Sequence, residues 1–426
     1  MKLVIIAGGK GQRLGLSDMP KPMVPVCGIP LLERQVLLAR SGGVTEIVFL
    51  LGYKAEMIIE HFGDGSRYGL RIRHIVEDAP LGSGGCLKLL ESYIQERFLV
   101  FNGDLLIDFD IRAFQRFDLA HPESATSIIV HPNDHPHDSD VLEQDENNRV
   151  ERFHFKPHSP GAFLPNLVNA GVYIFSPKVF ELIRSGESMI LEKGLYPRIL
   201  EKGLCIYGYR TSEYIKDVGT PQRILEVEAD LATGRVAARN ATRPQRAVFL
   251  DRDGVVVRYK EHLTSVEQLE LLPGAAGAIK SINRSGRLAI LVTNQPMLAK
   301  GFMTRADLRQ IHFKLETLLG HEGAYLDDIF FCPHHPERGF PGEVQELKVS
   351  CDCRKPSPGM IMRAAAKYNI ELGASWMVGD EERDLEAGRR AGCRCCHIRR
   401  EKGSFISADA EVRSLEDAVV RILAED

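Results

Sequence analysis

Short apolar runs alternate with amphipathic stretches along this chain, and the alternation starts twice. In the first half Lys2–Ala7, Glu46–Leu51, Arg71–Val76, Phe98–Asn102 and Thr126–Val130 are rich in Val, Ile, Leu and Phe and are predicted as strands. Leu31–Arg40 has helical periodicity and stops at Ser41-Gly42-Gly43, a helix C-terminus. The second half restarts with candidate strands at Ala247–Leu250, Leu288–Thr293, Asp328–Phe331 and Ser375–Val378. This order predicts an α/β chain of two Rossmann-like domains, the first with a mixed, mainly parallel sheet. Ligands then gather at the carboxyl ends of the strands. From Ala232 to Arg246 the chain is polar, basic and without apolar periodicity. The expected boundaries are a first domain over 1–232, a flexible linker over 233–245 and a second domain over 246–426.

Composition changes the picture in three places. A length of 426 residues suits two cores that need no staples. The formal net charge of -4 gives no reason to expect binding to nucleic acid or a membrane surface, so phosphorylated substrates must be drawn in by local cations. Leu3–Ala7 is too short for a signal peptide, and nothing approaches the roughly 20 apolar residues of a membrane span. The nine cysteines are scattered singly or clustered near histidines, which favours thiols and metal over disulfides and a cytoplasmic location.

Two sets of phosphate-handling residues stand out. The first strand runs into Gly8-Gly9-Lys10-Gly11-Gln12-Arg13-Leu14, where the backbone of Gly8, Gly9 and Gly11 can approach phosphate oxygens and Arg13 can grip a departing pyrophosphate. The run lacks the ending of a P-loop and the spacing of a dinucleotide fingerprint. Lys21, before Pro22, presents an ammonium on a loop. Leu81-Gly82-Ser83-Gly84-Gly85 is a second glycine loop, where Gly82 and Gly84 allow close contact with a base or ribose. Asp104 ends a strand in Asn102-Gly103-Asp104, and Asp217 opens Asp217-Val218-Gly219-Thr220-Pro221; together they suit a Mg²⁺ bridging the attacking and departing phosphates. A lone Gly-Asp is usually a turn, but the five elements in this order are not accidental.

These residues resemble the sugar-1-phosphate nucleotidyltransferases over about residues 1–230. Leu51-Gly52-Tyr53-Lys54 and Glu77-Asp78-Ala79-Pro80-Leu81-Gly82 look most like the members that guanylylate heptose 1-phosphate. The resemblance implies sugar contacts from Asn169 and Gly171 in Asn169-Ala170-Gly171-Val172-Tyr173, and a phosphate contact from Lys156. One departure is that Phe155-Lys156-Pro157 stands where the family has Glu-Lys-Pro. The implied reaction is in-line attack of a sugar phosphate on the α-phosphorus of a nucleoside triphosphate, with Arg13 and Lys21 stabilising the leaving pyrophosphate.

The second set begins at Phe249-Leu250-Asp251-Arg252-Asp253-Gly254-Val255 and continues with Val292-Thr293-Asn294-Gln295, Arg354-Lys355-Pro356 and Val378-Gly379-Asp380. In isolation Asp-x-Asp is better read as a turn cap; the order of all four elements resembles the haloacid-dehalogenase phosphatases over about residues 246–424. That resemblance implies Asp251 as nucleophile, Asp253 as general acid and base, and Thr293, Asn294 and Lys355 as phosphate contacts. It also implies Mg²⁺ on Asp251, Asp253 and Asp380, one contact running through a backbone carbonyl. Asp384 reads either as support for that site or as an exposed helix charge.

Cys332-Pro333-His334-His335 and Cys351-Asp352-Cys353 lie between these elements. Cys332, His334, Cys351 and Cys353 make a closed tetrahedral donor set suited to structural Zn²⁺, with His335 the alternative imidazole but better read as a solvent-facing neighbour. Cys27, Cys86, Cys205, Cys393, Cys395 and Cys396 are expected to be buried as small hydrophobes. The clip resembles the phosphatases of heptose 1,7-bisphosphate and of histidinol phosphate, and Cys351-Asp352-Cys353-Arg354-Lys355-Pro356 favours the heptose branch, with Arg354 as a substrate cation. Pro296-Met297 and Glu381 depart from that branch, which has Ser-Gly and often Lys there. The two resemblances imply consecutive steps to a nucleotide-activated heptose, with small phosphorylated substrates as the partners. The alternatives are a histidinol phosphatase joined to a hexose-1-phosphate nucleotidyltransferase, or a first domain that only senses nucleotide.

Overall fold

The computed structural model describes residues 1–9, 11, 18–399 and 407–425. By contacts the chain divides into two compact units: Met1–Val130, Glu143–Arg152 and Asn169–Asn240 form one; His131–Leu142, Phe153–Val168 and Ala241–Asp426 form the other. Among the described residues no helix is long and apolar enough to cross a membrane.

The first unit is built on a nine-stranded sheet. Its central run is Arg71–Val76, Glu46–Leu51, Leu3–Ala7 and Phe98–Asn102, all parallel, followed by Val168–Phe175, antiparallel to the last of them. Leu3, Val4, Ile5, Ile47, Val48, Phe49, Leu99, Val100 and Phe101 are fully buried, so these strands carry unbroken apolar runs because both faces are covered. In chain order the four parallel strands lie 3-2-1-4 across the sheet. The strand order therefore reverses beside Leu3–Ala7, where a crevice opens at the carboxyl ends.

The second unit has a six-stranded, wholly parallel sheet: Asp328–Cys332, Leu288–Asn294, Ala247–Leu250, Trp376–Gly379, Arg394–Ile398 and Ala410–Val412. Its chain order across the sheet is 3-2-1-4-5-6, and the reversal falls between Ala247–Leu250 and Trp376–Gly379. One core face packs Val248, Leu250, Ile279 and Ile282 with Leu415, Val419 and Ile422 of the last helix. The other packs Phe249, Ile290, Met360, Ile361 and Met377.

Several expectations change. Gly82–Gly85 is a helical turn rather than an open loop, continued by a 3₁₀ turn over Cys86–Leu90. Within 233–245, Arg235–Ala238 is helical; Val236 is buried against Val218 and Val227, and the Arg239 side chain donates to the Ser212 carbonyl. A single apolar residue supplies no periodicity, so this anchor is invisible to pattern. Cys27 is exposed and Cys205 half-buried, contrary to expectation, whereas Cys86, Cys393, Cys395 and Cys396 are buried. Cys27 occupies the tip between the paired strands Pro25–Val26 and Ile29–Pro30, with φ of 47°, where no core reaches it.

Candidate active sites

In the first unit a cleft of about 600 Å³ opens at the strand reversal, lined by Gly8, Gly9, Lys21, Gly52, Tyr53, Glu77, Gly82, Ser83, Asn102 and Asp104. Its floor depends on close backbone approach. A Cβ on Gly52 would lie 2.9 Å from the Gly8 carbonyl oxygen and 3.1 Å from its Cα, and Tyr53 N donates to that same carbonyl. A Cβ on Gly82, at φ +71°, would stand 2.5 Å from the Met189 carbonyl oxygen.

Lys21 lies in a 3₁₀ turn over Lys21–Met23 and is only 8% exposed. Its Nζ donates to Asp104 Oδ2 at 2.6 Å and to Asp217 Oδ1 at 3.4 Å. The two aspartates meet because Leu105–Asp108 pairs antiparallel with Tyr214–Asp217, setting Leu105 opposite Asp217, and Val218 N donates to the Asp104 carbonyl. Arg223 also pairs with Asp217. The fully buried Gln35 clamps the turn that carries Asp104, its Nε2 donating to the carbonyls of Asn102 and Leu105 at 2.9 and 2.8 Å. Nothing in the sequence flagged that buried amide.

Glu77, one residue of the Glu77-Asp78-Ala79-Pro80-Leu81-Gly82 motif, lines the cleft. Its Oε2 accepts from Leu81 N at 2.7 Å, and its Oε1 lies beside Gly8. Burial raises this carboxyl above its ordinary value, against the pull of the Leu81 amide.

Other predicted residues stand apart. Arg13 lies outside the described residues. Gly11 is described, but it packs on the stem of Lys21 and is not among the residues lining the cleft. Gly84 spends its N–H on the Met189 carbonyl at 2.9 Å, so it is not a free ligand donor. Asn169 and Gly171 sit behind Asn102: Asn169 Nδ2 donates to Glu192 Oε1 at 3.0 Å and to Tyr173 OH, and Gly171 leaves room for the Asn102 side chain. Lys156 belongs to the second compact unit, where its ammonium donates to the carbonyl and carboxylate of Asp138 at 2.9 and 3.2 Å.

In the second unit the strand reversal assembles the second set. Asp251 follows Ala247–Leu250 and its N–H donates to the Val378 carbonyl at 3.0 Å, which holds it beside the strand that leads to Asp380. Lys355, 3% exposed, donates to Asp251 Oδ1 at 2.5 Å and to the Val292 carbonyl at 2.8 Å, and pairs with Asp384 Oδ1 at 2.8 Å. Burial pushes the Asp251 carboxyl up to about 7; Lys355 opposes the rise, and Asp384 and Asp253 add to it. Burial alone would lower the Lys355 ammonium, yet Asp251 and Asp384 hold it above its ordinary value.

Asp251, Asp380 and Asp384 each offer a carboxylate oxygen, all within 4.8 Å of one another, so Asp384 belongs to the site and is not an exposed charge. The Glu381-x-x-Asp384 capping box, in which Asp384 Oδ2 accepts from Glu381 N, turns it inward and was legible as a spacing. The Asp253 side chain is outside this group; Arg252 engages both of its oxygens. Thr293 Oγ1 accepts from Gln295 Nε2 at 2.9 Å. The Asn294 side-chain amide exchanges two hydrogen bonds with the Lys355 backbone, at 3.0 and 3.1 Å, and so fixes the lysine.

Cys332 Sγ, His334 Nδ1, Cys351 Sγ and Cys353 Sγ converge, with sulfur pairs at 3.1, 3.3 and 3.6 Å and sulfur–nitrogen pairs at 3.2 and 3.7 Å. Tetrahedral ligation at about 2.3 Å separates sulfurs by roughly 3.8 Å, so the donor set fits one metal ion. His335, expected to face solvent, is buried beside the Phe340 ring and is not a donor in the cluster.

Residues 2–234 match the nucleotidyl transferase family, and residues 352–425 match the HAD-hydrolase-like family. The chain is 33% identical over 258 residues, 60% of its length and 70% of the relative's, to a mannose-1-phosphate guanylyltransferase of Mycobacterium tuberculosis. Over 154 residues, 36% of the chain and 83% of the relative, it is 39% identical to a D-glycero-beta-D-manno-heptose-1,7-bisphosphate 7-phosphatase of Rhodopseudomonas palustris. A D-glycero-alpha-D-manno-heptose-1,7-bisphosphate 7-phosphatase of Burkholderia mallei is 40% identical over 150 residues, 34% of the chain and 76% of the relative. The chain belongs to the nucleotidyl transferase family and, with a HAD-like phosphatase unit on the same polypeptide, is a bifunctional enzyme.

Proposed function

We propose that the second unit removes the C7 phosphate of D-glycero-D-manno-heptose 1,7-bisphosphate and that the first joins the resulting heptose 1-phosphate to GMP from GTP, giving GDP-heptose and pyrophosphate. One observation carries this reading. A phosphatase site that resembles heptose bisphosphatases shares a polypeptide with a site for sugar 1-phosphates, so the product of the one is the substrate class of the other. The phosphatase relatives divide between α and β substrates, and the reading names neither anomer. The proteins most similar to the first unit include one named for mannose 1-phosphate, so that sugar is the competing substrate there. A cytoplasmic location is the expectation that goes with both.

In the phosphatase site Asp251 attacks phosphorus, Lys355 binds the phosphate oxygens and steadies the carboxylates, and Asp253 exchanges the proton with the leaving oxygen and then with water. Asp251, Asp380 and Asp384 would hold Mg²⁺, which neutralises charge on the transferred group. In the nucleotidyl transfer site Lys21 stabilises the departing pyrophosphate, while Asp104 and Asp217 would hold Mg²⁺ for charge neutralisation. Glu77 supports guanine: a carboxylate accepts from the N1–H and N2–H donors of guanine together, whereas adenine offers an acceptor at N1. The test mixes the intact chain with the bisphosphate, Mg²⁺ and each of GTP, ATP, CTP, UTP and dTTP, following phosphate and sugar-nucleotide mass. GDP-heptose is the expected product, and Glu77→Gln lowers the preference for GTP at least about tenfold. Phosphate release with no sugar-nucleotide, or with GDP-mannose formed only from added mannose 1-phosphate, removes the heptose reading of the first site.

The Cys332, His334, Cys351 and Cys353 set is assigned to structural Zn²⁺, since three thiolates and an imidazole leave no open position for substrate. It fixes the segment that continues into Arg354 and Lys355. Metal analysis of the purified chain is expected to find about one zinc per chain, lost in Cys351→Ser together with phosphate release. A stoichiometric protein without transition metal that still releases phosphate would remove the assignment.

A further inference from the structure

Arg252 sits between the two aspartates of the phosphatase motif, and its placement is unusual for a charged side chain. It is 1% exposed. Among the described residues its guanidinium has a single hydrogen-bonding partner, the carboxylate of Asp253. Nε and Nη2 reach Oδ2 at 3.1 and 2.9 Å, and Nη2 reaches Oδ1 at 3.1 Å. The remaining nitrogen, Nη1, is buried without a partner. Burying a guanidinium costs several kcal/mol unless it is well paired, and the one carboxylate that offsets this cost belongs to the chemistry. The local chain is built to keep it so. Val256 N and Val257 N both donate to the Arg252 carbonyl, and Gly254 N returns a bond to the Val257 carbonyl at 2.7 Å. The arginine backbone is thereby pinned inside the bend that presents Asp253. Burial and the Arg252 charge hold His312 down to about 3, so the neighbouring imidazole is neutral and does not compete for the carboxylate. Gln295 Nε2, at 3.5 Å from Asp253 Oδ2, is the next donor and a poor substitute.

We infer that Arg252 is a positioning residue for Asp253: its fork fixes the place and plane of the carboxylate that handles the proton in both half-reactions. The inference rests on the phosphatase reading above. In the first half-reaction an Asp251 oxygen bonds to phosphorus, the phosphorus–sugar oxygen bond breaks, and the Asp253 proton passes to the departing sugar oxygen. In the second, water oxygen bonds to phosphorus, its proton returns to Asp253, and the bond from Asp251 to phosphorus breaks. A fork that holds both oxygens fixes the orientation of a carboxylate in a way that a point charge cannot.

Leaving-group dependence separates this role from a merely structural one, because 4-nitrophenolate departs without a proton while a sugar alkoxide needs one. Wild type, Arg252→Met, Arg252→Lys, Asp253→Asn and the Met/Asn double variant are compared on D-glycero-D-manno-heptose 1,7-bisphosphate and on 4-nitrophenyl phosphate, with circular dichroism on each. Arg252→Met is expected to lower kcat on the heptose about 30-fold or more, with KM little changed, and to lower kcat on the aryl phosphate by less than about threefold. In the Asp253→Asn background the same substitution should cost less than about twofold more. Arg252→Lys keeps the charge and loses the fork, so it should show the same selective loss in weaker form, and it carries the test if Arg252→Met does not fold. Equal losses on both substrates, or losses that add in the double variant, overturn the inference. A wild-type chain that releases phosphate from neither substrate overturns the phosphatase reading and the inference with it.

Discussion

Asp251→Asn should abolish phosphate release from the heptose bisphosphate, lowering kcat by about four orders of magnitude or more, while pyrophosphate formation at the other site is untouched. An amide has no charged oxygen to offer phosphorus, and removal of a nucleophile that works with partners costs about as much as removal of the whole set. The substitution is nearly isosteric, and Lys355 keeps Asp384 and the Val292 carbonyl as partners, so the unit should stay folded. Removing a carboxylate with a buried neighbour of its own sign also relieves repulsion with Asp384. The measurement is acid-quench trapping of ³²P-labelled protein beside steady-state phosphate release. Wild type should yield an alkali-labile phosphoprotein and Asp251→Asn none. Label that persists in the variant would place the nucleophile elsewhere.

Lys21→Ala should lower pyrophosphate formation by a factor of about 10² to 10³, the scale of deleting one preorganised donor from a site where charge develops. The 8% exposure of Lys21 and its position between Asp104 and Asp217 make the loss larger than that of a surface cation. Without the ammonium Asp104 and Asp217 lose the cation that bridges them, since the Arg223 pair is with Asp217. Lys21→Arg should rescue little. A Cβ on Gly11 would already lie 2.8 Å from Lys21 Cβ, so the stem is crowded, and a planar fork does not reproduce a compact point charge. Pyrophosphate release with GTP and heptose 1-phosphate is the assay, and phosphate release is the internal control. A loss of less than tenfold would mean that Lys21 serves the fold of the cleft and not its chemistry.

The central strands of both sheets were legible in the sequence because they are buried on both faces and therefore written as unbroken apolar runs, whereas the edge strand Arg71–Val76 was legible from Ile72, Ile75 and Val76 although only Ile72 is buried. Glu46–Leu51, Arg71–Val76, Phe98–Asn102 and Ala247–Leu250 match the structure end to end. Strand-end residues were legible for a related reason: the carboxyl end of a strand at a point of reversal is where Asp104, Asp251 and Asp380 have to stand. What pattern missed depends on partners far away in sequence. Gly84 reads as a ligand-binding glycine until Met189 takes its N–H. The Asn294 amide is held at both ends by the Lys355 backbone, 61 residues on, which no local pattern foretells. Arg252 and Gln35 left no sign at all, because a buried polar side chain in a helix or bend resembles a surface one until its burial is known.

A lysine between two carboxylates was met twice, at Lys21 with Asp104 and Asp217 and at Lys355 with Asp251 and Asp384. At the first site Arg223 on Asp217 balances the second carboxylate, whereas at the second site Asp380 adds a further carboxylate beside Asp251 and Asp384 and leaves that pocket acidic. At about 4 Å and an effective dielectric near 20, a single like-charge pair already costs about 4 kcal/mol. At the second site a bare phosphate ester therefore meets repulsion that a divalent cation held by Asp251, Asp380 and Asp384 would relieve. The acidic cluster there would thus make the cation part of substrate binding as well as of the chemistry.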